Sequence, residues 1–344
     1  MTLKAFSTLK AIAAILLLCG ILNFARGQDI HFTQFHAAPL QINPALAGAF
    51  DGNHRFAGIL RNQWSNVPVN YLSFSAAYDR KFVPKNLKAR GYFSGGGVFD
   101  YDVAGDSRLT LTGLALSGAY NYLITRRNVI TAGIGIGGAQ RAFKLDELYF
   151  DEQFSKFFDP TLPSGESFQR SGKFYADVSA GLNFQHQVKN SRTIFSLGAS
   201  AFHINRPNSS FKDDASVEID PRFALYGMAT VMLTKKFDVL FQALKQFQGP
   251  HQEMIFGAYG RIYLNQRPTR ELALQLGGFY RLQDAVAPAV GILYKDWEGG
   301  FSYDINLSDF EQASLSNGGP EIFIRYHIRP APDQDYCPLC PKHL

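Results

Sequence analysis

From Lys173 to Gln185 the chain alternates without a break. Phe174, Ala176, Val178, Ala180, Leu182 and Phe184 fall on one face, and Tyr175, Asp177, Ser179, Gly181, Asn183 and Gln185 on the other. A period of two is the signature of a strand with one apolar and one polar side. The pattern recurs. Ile130, Ala132, Ile134 and Ile136 oppose Thr131, Gly133 and Gly135, and Ile322, Ile324, Tyr326 and Ile328 oppose Phe323, Arg325 and His327. Many such segments in a row demand an all-β architecture, and their exposed edges must be closed or covered.

About fourteen segments of this kind follow one another with turn signals between them. They centre near Ala57, Phe74, Gly96, Leu114, Ile134, Val178, Leu197, Tyr226, Phe241, Ala258, Leu276, Val290, Tyr303 and Ile324. Their connections alternate in character. The even-numbered ones are short and basic, as in Thr125 to Asn128, Lys189 to Arg192 and Thr234 to Lys236. The odd-numbered ones include the long ones, about 144–171, 205–221 and 306–319. Short turns on one side and long loops on the other are the habit of a transmembrane barrel. The competing architecture is a large secreted sandwich or propeller.

The N-terminus favours the barrel. Lys4 and Lys10 precede an apolar run, Ala11 to Leu22, of secretory rather than membrane-spanning length. Ala25-Arg26-Gly27 reads as a cleavage site, leaving Gln28 first. A lipoprotein signal ending at Cys19 fits less well, because Leu18 stands where a small residue is expected. Aromatic residues make up 14% of the chain and charged ones only 18%, yet no later apolar run is long enough for a spanning helix. Removing Lys4, Lys10 and Arg26 from a net charge of +5 leaves +2, so the basic character is largely the leader's. It gives little support to nucleic-acid binding.

Gln28 to Asn53 belongs to neither the leader nor the alternating region. Pro39 and Pro44 break any regular element, Asn43-Pro44 and Ala47-Gly48 read as turns, and Phe32, Phe35, Leu40 and Ile42 need somewhere to pack. We expect an ordered segment on or in the periplasmic end of the barrel. Strand glycines such as Gly95 to Gly97, Gly133, Gly135, Gly137 and Gly138 make bends or leave room for a segment packed inside, for which residues 28–53 are the candidate.

The same stretch carries a resemblance. Gln28, Asp29, Phe32, Thr33, Gln34, Phe35, Pro39, Asn43, Pro44, Ala45, Ala47 and Gly48, followed by Arg61 to Trp64, Pro68 and Ser73 to Asp79, resemble the opening of the PorP/SprF family. Its members are outer-membrane proteins of the Bacteroidetes type IX secretion and gliding machinery. The resemblance implies a non-enzymatic barrel that supports secretion, or holds a secreted adhesin at the cell outer membrane. Its partners would be secretion components, such an adhesin and outer-membrane lipid, with no nucleic acid and no cofactor.

Other constellations are weaker. Tyr149, Phe150, Phe154, Phe157 and Phe158 sit among acids in the 144–171 connection. They read as a partner-docking surface or as rings folded into the barrel mouth. Phe32, Gln34, Phe35, Pro39, Asn43 and Pro44 are the partner-binding candidates of the N-terminal segment. Cys337 and Cys340 form C-x-x-C with His343 beyond. A disulfide, a thiol pair used for attachment and a metal site stay open, and Pro341 rules out haem attachment. No calcium, nucleotide, metalloprotease or nucleophile-elbow spacing occurs, so no catalytic, cofactor or metal residues are assigned.

The expected layout is a signal peptide over 1–27, a periplasmic or lumenal segment over 28–53, a barrel over 54–328 and a Pro/Cys-containing periplasmic tail over 329–344. The alternative to an interaction barrel is a channel or FadL-like transporter, in which residues 28–53 would act as a hatch.

Overall fold

The computed structural model describes residues 29–329, apart from 64–70, 85–89, 106, 145–147, 149, 155–156, 160, 164, 166–170, 268–269 and 308–316. The leader and the tail with Cys337 and Cys340 lie outside the described residues.

Fourteen antiparallel strands close into one barrel. They are β1 (His54–Gln63), β2 (Tyr71–Phe82), β3 (Gly91–Ala104), β4 (Leu109–Thr125), β5 (Asn128–Ala142), β6 (Gly172–Gln187) and β7 (Ile194–Phe202), then β8 (Arg222–Thr234), β9 (Phe237–Gln248), β10 (His251–Asn265), β11 (Leu272–Arg281), β12 (Ala285–Tyr294), β13 (Trp297–Asn306) and β14 (Asn317–Ile328). Every residue at which we expected a strand to centre falls inside its strand. Each strand pairs with its sequence neighbours, and β1 pairs with β14, with His54 opposite Ile328 and Arg61 opposite Glu321. Closure leaves no free edge, which backbone polar groups in lipid require.

The alternation has its expected physical sense. Leu114, Leu116, Ile134, Ile136, Phe174, Leu182, Leu276, Ile322 and Ile324 are exposed on the outer wall, while Asn121, Thr131, Asn183, Ser196 and Gln275 are buried on the inner one. Aromatic rings gather toward both rims. Tyr78, Tyr120, Tyr122, Tyr294 and Trp297 are exposed near the end where β1 begins, and Phe223, Phe247, Phe256 and Tyr280 near the other. Two such girdles mark the interfaces of a membrane-spanning barrel.

Two local irregularities have plain causes. The β12–β13 ladder skips Ala287 and Pro288, because proline has no N–H to donate. Gly319 has φ +138°, and a Cβ there would collide with the Asn62 carbonyl oxygen. The opening of β14 therefore needs glycine to lie against β1.

The two ends differ in charge. Connections on the short-loop end carry twelve bases and two acids, whereas those on the long-loop end carry fourteen acids and six bases. A miscount of one strand would mix the two sets, so the segregation independently supports fourteen.

Candidate functional site

The lumen is occupied by the chain's own N-terminal segment. Residues 32–40 and 42–50 are all buried, and Gln34, Asn43, Ala37, Ala45 and Ala47 have no exposed surface at all. The segment does not sit at one end, as the sequence led us to expect. It runs through the barrel from the long-loop end at Asp29 to the short-loop end at Asn53. The reason lies in the wall, which offers apolar and charged partners along its whole depth.

Local structure follows from the turn residues. Pro39 opens a single helical turn, Pro39–Ile42, where its missing N–H is harmless. Asn43 is extended, and its side chain accepts a hydrogen bond from the Ala45 N–H at 2.7 Å, capping the 3-10 turn Pro44–Leu46. Gly48, with φ +75°, then turns the chain where a Cβ would lie 2.5 Å from that of Ser94.

Three apolar contacts seat the segment. Phe32 packs with Ile59 and Phe323, Leu40 with Val98 and Ala119, and Phe35, Ile42 and Leu46 join Tyr226, Leu240, Leu244, Tyr259 and Phe279. His36 lies between rings, 5.2 Å from Phe323 edge-on and 6.1 Å from Phe279 stacked, so it packs as one more flat ring of this core.

Irregular backbone buried in the lumen needs partners, and the wall supplies them. Near the long-loop end the Glu321 carboxylate accepts from the Thr33 and Gln34 N–H groups at 2.8 and 2.6 Å. Beside it, Asp304 accepts from Arg61 at 2.6 Å, Arg281 at 3.0 Å and the Thr33 hydroxyl at 3.0 Å. Arg61 also donates to the His31 carbonyl at 2.9 Å. Midway, Asn43 Nδ2 donates to the carbonyls of Leu182 and Ala199 at 2.9 and 3.1 Å, and Ser200 donates to that of Ile42 at 2.5 Å. Arg325, paired with Glu298 at 2.5 Å, donates to the His36 carbonyl at 3.2 Å. Near the short-loop end Asp79 binds Arg55 at 2.9 Å and accepts from the Gly48 N–H at 2.7 Å, while Lys81 donates to the Phe50 carbonyl.

Of the strand glycines singled out in the sequence, Gly133 makes room for the segment, whereas Gly95 to Gly97, Gly135, Gly137 and Gly138 lie against other residues of the wall; Gly181 joins Gly133. A Cβ on Gly133 would lie 2.5 Å from the Ala45 nitrogen, and one on Gly181 would collide with the Asn43 Oδ1. Gly133→Val should therefore unseat the 43–46 turn, at a cost of about 1–3 kcal/mol or more for overpacking. Hydrogen exchange checks it: protection across residues 43–47 should fall while the strand ladder of β5 keeps its own.

Asp29 fastens the segment at the long-loop mouth. Its carboxylate is hydrogen-bonded to His203 Nε2 at 2.7 Å and ion-paired with the Arg222 guanidinium at 3.2 Å, and its N–H donates to Gln248 at 3.0 Å. His203 Nδ1 meets Asp177 at 2.8 Å. Burial opposes charge on His203, but the bonds to Asp177 and Asp29 outweigh it and raise the imidazole to about 9. Burial likewise opposes charge on Asp29, and Arg222 and His203 override it, holding the carboxyl well below the usual range. The signs give a window. The raised His203 contributes fully below its usual value of 6.5 and loses its contribution as pH rises through about 9. The lowered Asp29 contributes fully above 3.8 and loses its contribution as pH falls. Protection factors of residues 29–31 should thus hold from about pH 4 to 6.5 and decline on either side. Equal protection at pH 6 and pH 10 would contradict this clasp.

The sequence-derived candidates divide sharply. Phe32, Gln34, Phe35, Pro39, Asn43 and Pro44 come together inside the lumen, where they touch the barrel's own wall and not the solvent. Phe154 and Phe157 are 64% and 80% exposed, and Phe158 is exposed beside them, with the Phe154–Phe158 bridge holding the loop. Phe150 is half-buried, and Tyr149 lies outside the described residues. Sequence reading missed the buried charges of the wall, Arg61, Asp79, Arg281, Glu298, Asp304 and Glu321. Their signal was present as charged residues on the inward face of strands.

A model of the family described as type IX secretion system membrane protein PorP/SprF matches residues 25–326, which takes in the lumenal segment and nearly the whole barrel. The chain belongs to the PorP/SprF family. A PorP/SprF barrel with these girdles is an outer-membrane protein. No curated protein matches the chain significantly. Among solved structures it is similar to the TodX monoaromatic hydrocarbon channel deltaS2 mutant, at 10% identity and a TM-score of 0.48, covering 86% of this chain and 94% of that one. It is also similar to the CymD monoaromatic hydrocarbon channel, at 8% and 0.48 over 88% and 96%. A Pseudomonas aeruginosa FadL homologue aligns at 10% and 0.46 over 83% and 93%. At these scores the likeness carries no argument about what this PorP/SprF barrel passes or binds.

Proposed function

We propose that this PorP/SprF barrel is a non-enzymatic component of the type IX secretion and gliding machinery, supporting secretion or surface attachment of a partner protein such as an adhesin. The observation that carries this reading is the filled lumen. Its segment is tied to the wall at four depths, by Asp29, by Asp304 and Glu321, by Asn43, and by Asp79. A conduit would need to break all of these ties to open. A docking body benefits from them, because they hold a rigid platform beneath the loops. The exposed rings of Phe154, Phe157 and Phe158 on the long-loop end are where we place the partner's approach.

The second reading is a FadL-like transporter with the segment as a hatch. It is favoured by a cavity of about 310 Å³ beside the segment at the long-loop mouth, lined by Ile30, His31, Tyr71, Asp102 and Arg141. Planar-bilayer recording together with gentle co-purification from native outer membrane decides between them. The interaction barrel should be electrically silent, take up no solute and carry a secreted protein with it. Steady conductance or solute uptake by the intact protein, with no protein partner, would favour the transporter.

A further inference from the structure

The segment's two ends lie at opposite mouths of the barrel. At Asn53 the chain donates to the Ile328 carbonyl at 2.8 Å, where β14 ends and β1 begins. At Asp29 it is clasped by His203, Arg222 and Gln248, which stand where β7, β8 and β9 meet the long-loop end. Outer-membrane barrels keep their short turns and both strand termini on the periplasmic side and their longer loops outside. Here the short turns, the start of β1 and the end of β14 share one side, and the connections 143–171 and 203–221 share the other.

We propose that the mature amino-terminal end, with the leader cleaved where the sequence places the site, opens on the cell exterior, and that Asp29, Ile30 and His31 belong to the surface met by anything approaching from outside. The geometry leaves little freedom. One residue spans at most about 3.6 Å, so the described chain enters the lumen from the mouth at which Asp29 is fastened. The way back through the lumen is taken up by residues 32–50, whereas Asp29, Ile30 and His31 are only half-buried. The barrel is thus threaded: its strands begin at the periplasmic end, and the chain that precedes them emerges at the opposite one.

This holds for an interaction barrel and for a transporter alike. In a Cys337→Ser, Cys340→Ser background, a Gly-Cys-Gly insertion between Gln28 and Asp29 keeps the expected cleavage site and places a thiol at the mouth. Lys212→Cys in the 203–221 connection and Lys189→Cys in the 188–193 connection report the two faces. A membrane-impermeant maleimide applied to intact cells should label the insertion and Lys212→Cys to a similar extent. It should reach Lys189→Cys only after the outer membrane is permeabilised. Should the inserted cysteine disturb the clasp, an epitope tag at the same point, read by antibody on intact cells, tests the same exposure. An insertion that labels only alongside Lys189→Cys, or in neither condition, overturns the proposal.

Discussion

Deleting residues 32–47 behind an intact leader should leave an inserted, heat-modifiable barrel that conducts ions freely, where the intact protein is silent. The wall does not depend on the segment for its backbone bonds, because fourteen strands close their own ladder. What is lost is burial. Phe32, Phe35 and Leu40 each contribute about 1.5–3 kcal/mol by leaving water, and three apolar contacts on the wall would open. What is gained is a lumen lined by Arg61, Arg281, Arg325, Asp304, Glu298 and Glu321, all now buried. Such a surface would hydrate at once and pass ions. From sequence alone, a partner site would predict no leak on deletion. The filled lumen changes that expectation, since leak should appear under either functional reading. Secretion or adhesin display should fail as well if the loops need their platform. A variant that inserts fully and stays silent in bilayers would show that something other than residues 32–47 closes the barrel.

Asp304→Leu should cost about 3–5 kcal/mol, the usual penalty for stripping one partner from a buried ion pair. Asp304 is the shared acceptor of Arg61 and Arg281 and of the Thr33 hydroxyl, and it is almost wholly buried. Without it Arg61 keeps as acidic partner only the Glu321 carboxylate, at 4.0 Å, and Arg281 keeps only its ion pair with Asp284 at the mouth. The segment's outer third should loosen first, because Thr33 and His31 hang on this cluster. Urea unfolding in detergent measures the loss, and protease nicking near residues 30–34 locates it. Asp304→Asn, which keeps the shape and one acceptor, should lose less and nick more slowly. Stability within about 1 kcal/mol of the parent for Asp304→Leu would mean that water or a shift of Arg61 already relieves the charges.

The fold was legible in the sequence for a specific physical reason. A barrel wall has lipid on one side and a lumen on the other, so period two is written into every strand, and Phe174 to Phe184 shows it without exception. Pro39, Asn43 and Pro44 likewise announced turns by local chemistry alone. Gly133 signalled a close approach from inside, whereas the need for Gly181 became legible only with Asn43 lying against it. The partner residues proposed in the segment were placed less well. Aromatic rings in an irregular stretch are consistent with contact to another molecule and with burial in the same one, and nothing local separates the two.

The sequence by itself determined which side of each strand faces the lumen, how many strands there are, and that residues 29–53 pack and do not drift. Each of these depends on neighbours a few positions apart. Only the tertiary structure decided that the segment threads the barrel from mouth to mouth. It alone decided that Thr33 meets Asp304 across 271 positions and that Asp29 meets His203 across 174. Charges such as Arg61 and Glu321 could be read as inward-facing. Their pairing waits on closure, because the register between β1 and β14 brings together the two ends of the wall, and no local pattern encodes that register.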